Sequence, residues 1–235
     1  MKLLLSVAVS LAISAGSAIA QQKSAGTREF STLQSDNIVN MAAVEAVQKD
    51  LGVSDEVARK LTLLRDEYHA AVQKEYQDVG LNPIFNPNQL TAEQRQKHIE
   101  IGRSLNDRFF PKAEELLSAD QYKRFQQIQF QFRFQNLSTM ALLAPNVASE
   151  LKLTDDQKQK LNTLDSERRQ SLFPAGGSGK GKENIERMMK HRDEYKTKAI
   201  EVLTAEQKET LNKLMGNEFD LSKFVPPRTI QGKGK

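Results

Sequence analysis

The sequence has no cysteine and no tryptophan, and its only histidines stand at positions 69, 98 and 191. Without cysteine there is no disulfide, no thiolate-held zinc or iron–sulfur cluster, no cysteine nucleophile and no cysteine-linked lipid anchor. The imidazoles are too dispersed for a histidine-rich metal site. His69 and Glu67 flank one helix, and His191 and Glu194 lie three apart on another, but no further ligand stands at metal spacing. His-Glu-x-x-His and Gly-x-Ser-x-Gly are both missing, and no acidic pair stands out from the many solvated Asp and Glu. These absences point to a chain with no catalytic, metal or cofactor residues.

The 235 residues carry 34 Lys+Arg against 30 Asp+Glu, 27% charged and 38% hydrophobic. That is enough chain and enough apolar content for a real core, and too little net charge for a disordered polyelectrolyte. The basic residues are scattered among acidic ones, so charge alone gives no support for nucleic-acid binding.

Residues 1–20 read as a secretory signal peptide: Lys2, then an apolar run from Leu3 to Ile13 broken only by Ser6 and Ser10, then Ala18-Ile19-Ala20 before Gln21. The expected location is therefore periplasmic or extracellular. No later stretch is apolar enough for a transmembrane segment. Residues 21–36 are expected to be a mobile N-terminal segment. Residues 217–235, with Arg228, Lys233 and Lys235, are expected to be a basic flexible tail.

Between them the chain repeats itself. At an offset of 100, Val47, Leu51, Val53, Ser54 and Asp55 align with Val147, Leu151, Leu153, Thr154 and Asp155, and Leu61 and Leu64 with Leu161 and Leu164. At an offset of 86, Leu117-Ser118-Ala119-Asp120-Gln121 aligns with Leu203-Thr204-Ala205-Glu206-Gln207. The repeats are expected over 37–140 and 141–216. The first has the longer middle, with an extra Leu90-Thr91-Ala92-Glu93-Gln94.

These motifs are helix starts. A Ser or Thr at the N-cap accepts from the third amide of the helix, and a Gln at that third position reaches back to the N-cap amide. Thr91 with Gln94, Ser118 with Gln121, Thr154 with Gln157 and Thr204 with Gln207 all fit. Ser54 is followed by Val57, which leaves that cap half built. Helical spacing follows each start: Val57, Leu61, Leu64, Tyr68 and Ala71; His98, Ile101, Leu105 and Phe109; Ile185, Met188, Tyr195, Ala199 and Val202. Pro111 is expected to kink its helix. Breaks fall at Gly80 to Pro83, at Asn86-Pro87, at Pro145, from Pro174 to Gly181, and at Pro226-Pro227. The expected fold is all-α, about seven helices arranged as two tandem copies of a helical hairpin unit.

Gly176 to Lys182 nearly fits a phosphate-binding loop, but Glu183 stands where a Ser or Thr must hold magnesium. A hairpin linker is the better reading. The segment from Tyr122 to Leu143 is the least ordinary. Phe125, Ile128 and Phe132 share one face; Phe130, Phe134, Leu137 and Met140 populate another. A helix apolar on two sides is either covered on both or leaves a patch. It is thus a central helix bridging the halves, or a client-binding surface made by Tyr122, Phe125, Phe130, Phe132 and Phe134.

The Leu-Thr-x-x-Gln motifs resemble those of the Spy/CpxP family of periplasmic proteins. Leu90 to Gln94, Leu153 to Gln157 and Leu203 to Gln207 match in full; Leu117 to Gln121 matches with Ser for Thr; Val53 to Val57 departs at both ends. The resemblance implies a helical cradle in the cell envelope. Members bind unfolded proteins without ATP or damp an envelope-stress sensor, some bind zinc, and they act as dimers of short chains. This chain is longer and internally doubled. It is more similar to exported bacterial proteins with two such copies, for which the resemblance implies no activity. A homodimer and a self-contained tandem repeat both stay open. The expected function is non-enzymatic, chaperone-like binding of unfolded envelope proteins; the alternative is a signalling or scaffolding protein that docks one specific partner.

Overall fold

The computed structural model describes residues 37–82, 90–172 and 182–224, and only the backbone of residues 172 and 182–188. Among the described residues there is no strand, and the fold is all-α. The helices are α1 (Ile38–Ala42), α2 (Glu45–Leu51), α3 (Asp55–Asp78), α4 (Ala92–Glu115), α5 (Ala119–Leu143), α6 (Pro145–Glu150), α7 (Asp155–Leu172), α8 (Lys182–Glu201) and α9 (Ala205–Met215). A 3-10 turn, Leu221–Lys223, follows. The surplus over seven lies in short pieces, of which α1 has 5 residues and α6 has 6. The expected signal peptide over 1–20, the expected mobile segment 21–36, the expected linker from Pro174 to Gly181 and everything after residue 224 lie outside the described residues.

All four capping boxes form. The N-cap amides of Thr91, Ser118, Thr154 and Thr204 donate to the Gln side chains at 2.9, 3.0, 3.1 and 2.9 Å. The return bonds, from each Gln amide to the Ser or Thr hydroxyl, are 3.2 Å in every case. Ser54 accepts only from the Val57 amide, at 3.3 Å. Losing one cap costs about 1 kcal/mol.

Two short helices end alike. Gly52 (φ 60) follows α2, and the amides of Gly52 and Val53 donate to the carbonyls of Lys49 and Gln48. Lys152 (φ 50) follows α6, and the amides of Lys152 and Leu153 donate to Ser149 and Ala148. This is the closure that leaves one residue in the left-handed region at a helix end. Lysine occupies it at a cost of about 1–2 kcal/mol that glycine escapes.

The helices enclose two apolar cores. The first holds Met41, Val47, Leu61, Tyr68, Tyr76, Leu105, Phe109, Phe125 and Ile128. The second holds Phe134, Leu142, Leu151, Leu161, Ala199, Leu203 and Leu211. Helix α3 packs on α4, α7 on α8, and α5 touches α2, α7, α8 and α9. Thus α5 belongs to both cores. Its backbone breaks from helical geometry at Leu137 (φ −137, ψ 45). Beside the break the Asn136 side chain donates to the Phe132 carbonyl at 2.7 Å. The two apolar sides part before that point: Phe125 and Ile128 lie in the first core, while Phe134, with Phe130 against it, already lies in the second. Helix α4, by contrast, runs on through Pro111 to Glu115.

Two expected boundaries need correction. The division at 140/141 falls inside α5, and the second core already begins at Phe134. Residues 217–224 are not a flexible tail. Phe219 and Phe224 are buried in the first core, although they follow the last helix of the second. Apolar burial outweighed the basic composition from which the tail was read.

Candidate functional site

The aromatic row of α5 divides sharply. Phe125 and Phe134 are 1% and 2% exposed, so they are core and cannot form an open client surface. Phe130 is half-buried and stacked on Phe134 at 5.9 Å. Lys196 places its ammonium 5.6 Å from the Phe134 ring centroid and donates to Gln135 at 2.6 Å. Tyr122 is half-buried, donates to Glu114 at 3.0 Å and stacks on Phe125. Burial pushes the Tyr122 hydroxyl pKa up, and the neighbouring Glu114 charge adds to it. Phe132, also half-buried, meets Phe224 edge-on at 4.8 Å.

That last contact leads to the most distinctive feature of the molecule. After α9 the chain turns at Gly216 (φ 62, ψ −153), a region open to glycine and little else. A Cβ there would also collide with the Gln127 side chain. Residues 216–224 then cross α5 as a strap. Gln131, buried within α5, holds it by the main chain. The Gln131 amide nitrogen donates to the carbonyls of Met215 at 2.6 Å and Asn217 at 2.7 Å, and its oxygen accepts from the Phe219 amide at 2.9 Å. Arg124 donates to the Asn217 carbonyl at 2.7 Å while gripping Asp50 of α2 with two nitrogens, at 2.6 and 3.1 Å. One α5 face thereby joins α2, the strap and the end of α9.

Sequence reasoning missed Gln131, Arg124, Gly216, Phe219 and Phe224. A signal was present: Phe219, Leu221 and Phe224 form an apolar pattern in a stretch read only for its charge.

The capping glutamines do more than close helix starts. Gln157 and Gln207 bond each other reciprocally at 2.7 and 3.0 Å. Gln157 also donates to the Val202 carbonyl at 2.9 Å, and Gln207 to the Leu151 carbonyl at 3.0 Å. In the first half Gln121 donates to the Gly52 carbonyl at 3.4 Å, but Val57 replaces the partner glutamine. These residues are clasps between helices rather than a ligand site.

The other polar clusters are structural. Asp165 is buried and accepts from Thr139 at 3.1 Å, Arg168 at 2.8 Å and Arg169 at 2.7 Å. Burial alone would raise its pKa; the hydrogen bonds from Arg168 and Thr139 and the two guanidinium charges outweigh it and hold the carboxyl below its usual value. Among the described residues no group of three or more His, Cys, Asp or Glu could hold a metal ion, and no helix is long and apolar enough to cross a membrane. A shallow groove of about 500 Å³ by Gln48, Ala58, Arg59 and Leu63 is wide open to solvent.

No protein-family profile, curated protein or solved structure matches this chain.

Two histidines make the fold sensitive to acid. Burial depresses the pKa of His69, with the Arg65 charge helping and Asp66 opposing; burial alone depresses that of His98. The Tyr76 hydroxyl bonds His98 Nδ1, which suits a neutral imidazole accepting from tyrosine. The unfolded chain takes up these protons near pH 6.5, and the folded chain only at lower pH. Stability is thus complete above that value and declines as pH falls below it. Thermal melts from about pH 7.5 to about pH 5.5 should show the decline, and it should flatten in the His69→Gln/His98→Gln double variant. An equal slope in both proteins would remove the histidines from the account.

Proposed function

We propose that this chain is a non-enzymatic, exported binding protein that holds extended segments of other envelope proteins without ATP. The observation that carries the reading is the Gln131 clasp. A buried side-chain amide grips the last carbonyl of α9 and a carbonyl and an N–H of the segment after it, while phenylalanines enter the core beside it. Main-chain recognition tolerates sequence, and apolar anchoring favours unfolded chains. The resemblance of the Leu-Thr-x-x-Gln motifs to the Spy/CpxP family and the signal-like residues 1–20 support the same location and role. The proposal also takes the two halves as copies of one helical hairpin unit. The matched left-handed residues Gly52 and Lys152, and the matched contacts of Gln121 and Gln207, support this.

The test is light scattering from a chemically denatured protein diluted into buffer with residues 21–235 and no ATP. Suppressed aggregation at near-stoichiometric amounts is expected, weaker at high salt because lysines and arginines steer acidic clients. If folded, helical protein suppresses nothing, the reading fails and docking to one specific partner becomes the better account.

A further inference from the structure

The strap suggests where such a segment would bind, and what chemistry it would have. We infer that the α5 face covered by residues 216–224 is an acceptor groove for a short turn-forming segment of another protein carrying two phenylalanines around a leucine, and that the strap is its built-in competitor. This rests on the binding reading above.

The strap is built like a ligand. It holds its own shape: the Asp220 carboxylate accepts from the Ser222 amide at 3.1 Å and hydroxyl at 2.5 Å, and pairs with Lys223 at 3.4 Å. The amides of Lys223 and Phe224 close a turn onto the carbonyls of Asp220 and Leu221. What it takes from the rest of the molecule is a place for Phe219 and Phe224, and donors and an acceptor for its main chain. The phenylalanine sites do not depend on the strap's being joined to α9, although the Gln131 nitrogen that holds the Asn217 carbonyl also holds that of Met215 at the end of α9. The join itself is a single glycine in a conformation other residues avoid, with the end of the Gln127 side chain where a Cβ would stand. A segment of the same pattern from another chain would satisfy the same groups once the strap lifts.

A tethered competitor acts at a local concentration of about millimolar, so a free segment should bind the intact protein weakly. The experiment uses a fluorescent peptide with the sequence of residues 216–224, a scrambled control, and full-length protein. Binding is read by anisotropy after circular dichroism has established helicity. The Phe219→Ser/Phe224→Ser variant empties both anchor positions and should bind the peptide at least about tenfold more tightly than wild type. Gly216→Val leaves both phenylalanines in place and strains the join, so it should shift binding in the same direction even if the double variant does not fold. A folded variant that binds the peptide no better than wild type overturns the inference.

Aggregation suppression is measured on the same proteins. Suppression that is present in wild type and equal in the opened variants puts client binding elsewhere: it overturns the inference and removes the Gln131 clasp as the binding site, while the suppression itself still supports binding of unfolded proteins without ATP. Tighter peptide binding without any suppression supports the acceptor groove and defeats the chaperone-like role. A doubled mass by light scattering that disappears in the double variant would make a second copy of this chain the occupant and overturn the assignment to other proteins.

Discussion

Phe134→Ala is expected to destabilise the protein by about 3–5 kcal/mol, the range for emptying a phenylalanine site in a packed core. The ring is 2% exposed, lies against Phe130 and carries the Lys196 ammonium over its face. Its loss removes apolar contact from the second core just before the α5 break, where neighbouring backbone is already irregular. Against a total stability of about 5–15 kcal/mol, such a loss is large. Urea unfolding should show a lower midpoint with the slope nearly unchanged. Phe130→Ala, at a half-buried position, should cost clearly less. Equal, small losses at both sites would mean that Phe134 is not core, and would return it to the client surface.

The second large effect is expected at Gln131. Replacing it with alanine removes three hydrogen bonds and leaves the Phe219 amide buried without its acceptor. The expected cost is about 2–4 kcal/mol, since an unsatisfied buried group loses its full desolvation penalty. The loss should be local. Hydrogen exchange at the Phe219 amide should quicken by roughly a hundredfold, each 1.4 kcal/mol being about tenfold, while amides in α7 and α8 keep their protection. Unchanged exchange at Phe219 would show that the phenylalanines hold the strap alone. Gln131→Glu is the sharper companion. It removes the donor, places carboxylate oxygens against two carbonyls, and should loosen the strap at least as much.

Both results depend on residues of different legibility. Phe134 stood in an aromatic run whose two apolar sides demanded either double coverage or a patch, and two cores supply the coverage. Gln131 was invisible. It is one of several glutamines filling the gaps in that run, and nothing in sequence separates the one facing the strap from those facing water. The partners it holds lie more than eighty residues away, so no local pattern could reveal it. Gly216 was equally mute: a glycine after a helix reads as an ordinary stop. Its need for φ 62 and its closeness to Gln127 exist only once the strap crosses α5.

The sequence by itself determined the helical class, the helix starts at Thr91, Ser118, Thr154 and Thr204, and most core positions of α3 and α4. These depend on interactions within a turn or two of helix: a hydroxyl and an amide three residues apart, and apolar side chains recurring along one face. Only the tertiary structure decided that α5 serves two cores and breaks at Leu137, that Gln157 and Gln207 clasp each other, and that the chain returns after α9 to bury Phe219 and Phe224 in the first core. Each of those is a contact between segments far apart in sequence, where the gain from burial and satisfied polar groups must exceed the entropy of bringing them together.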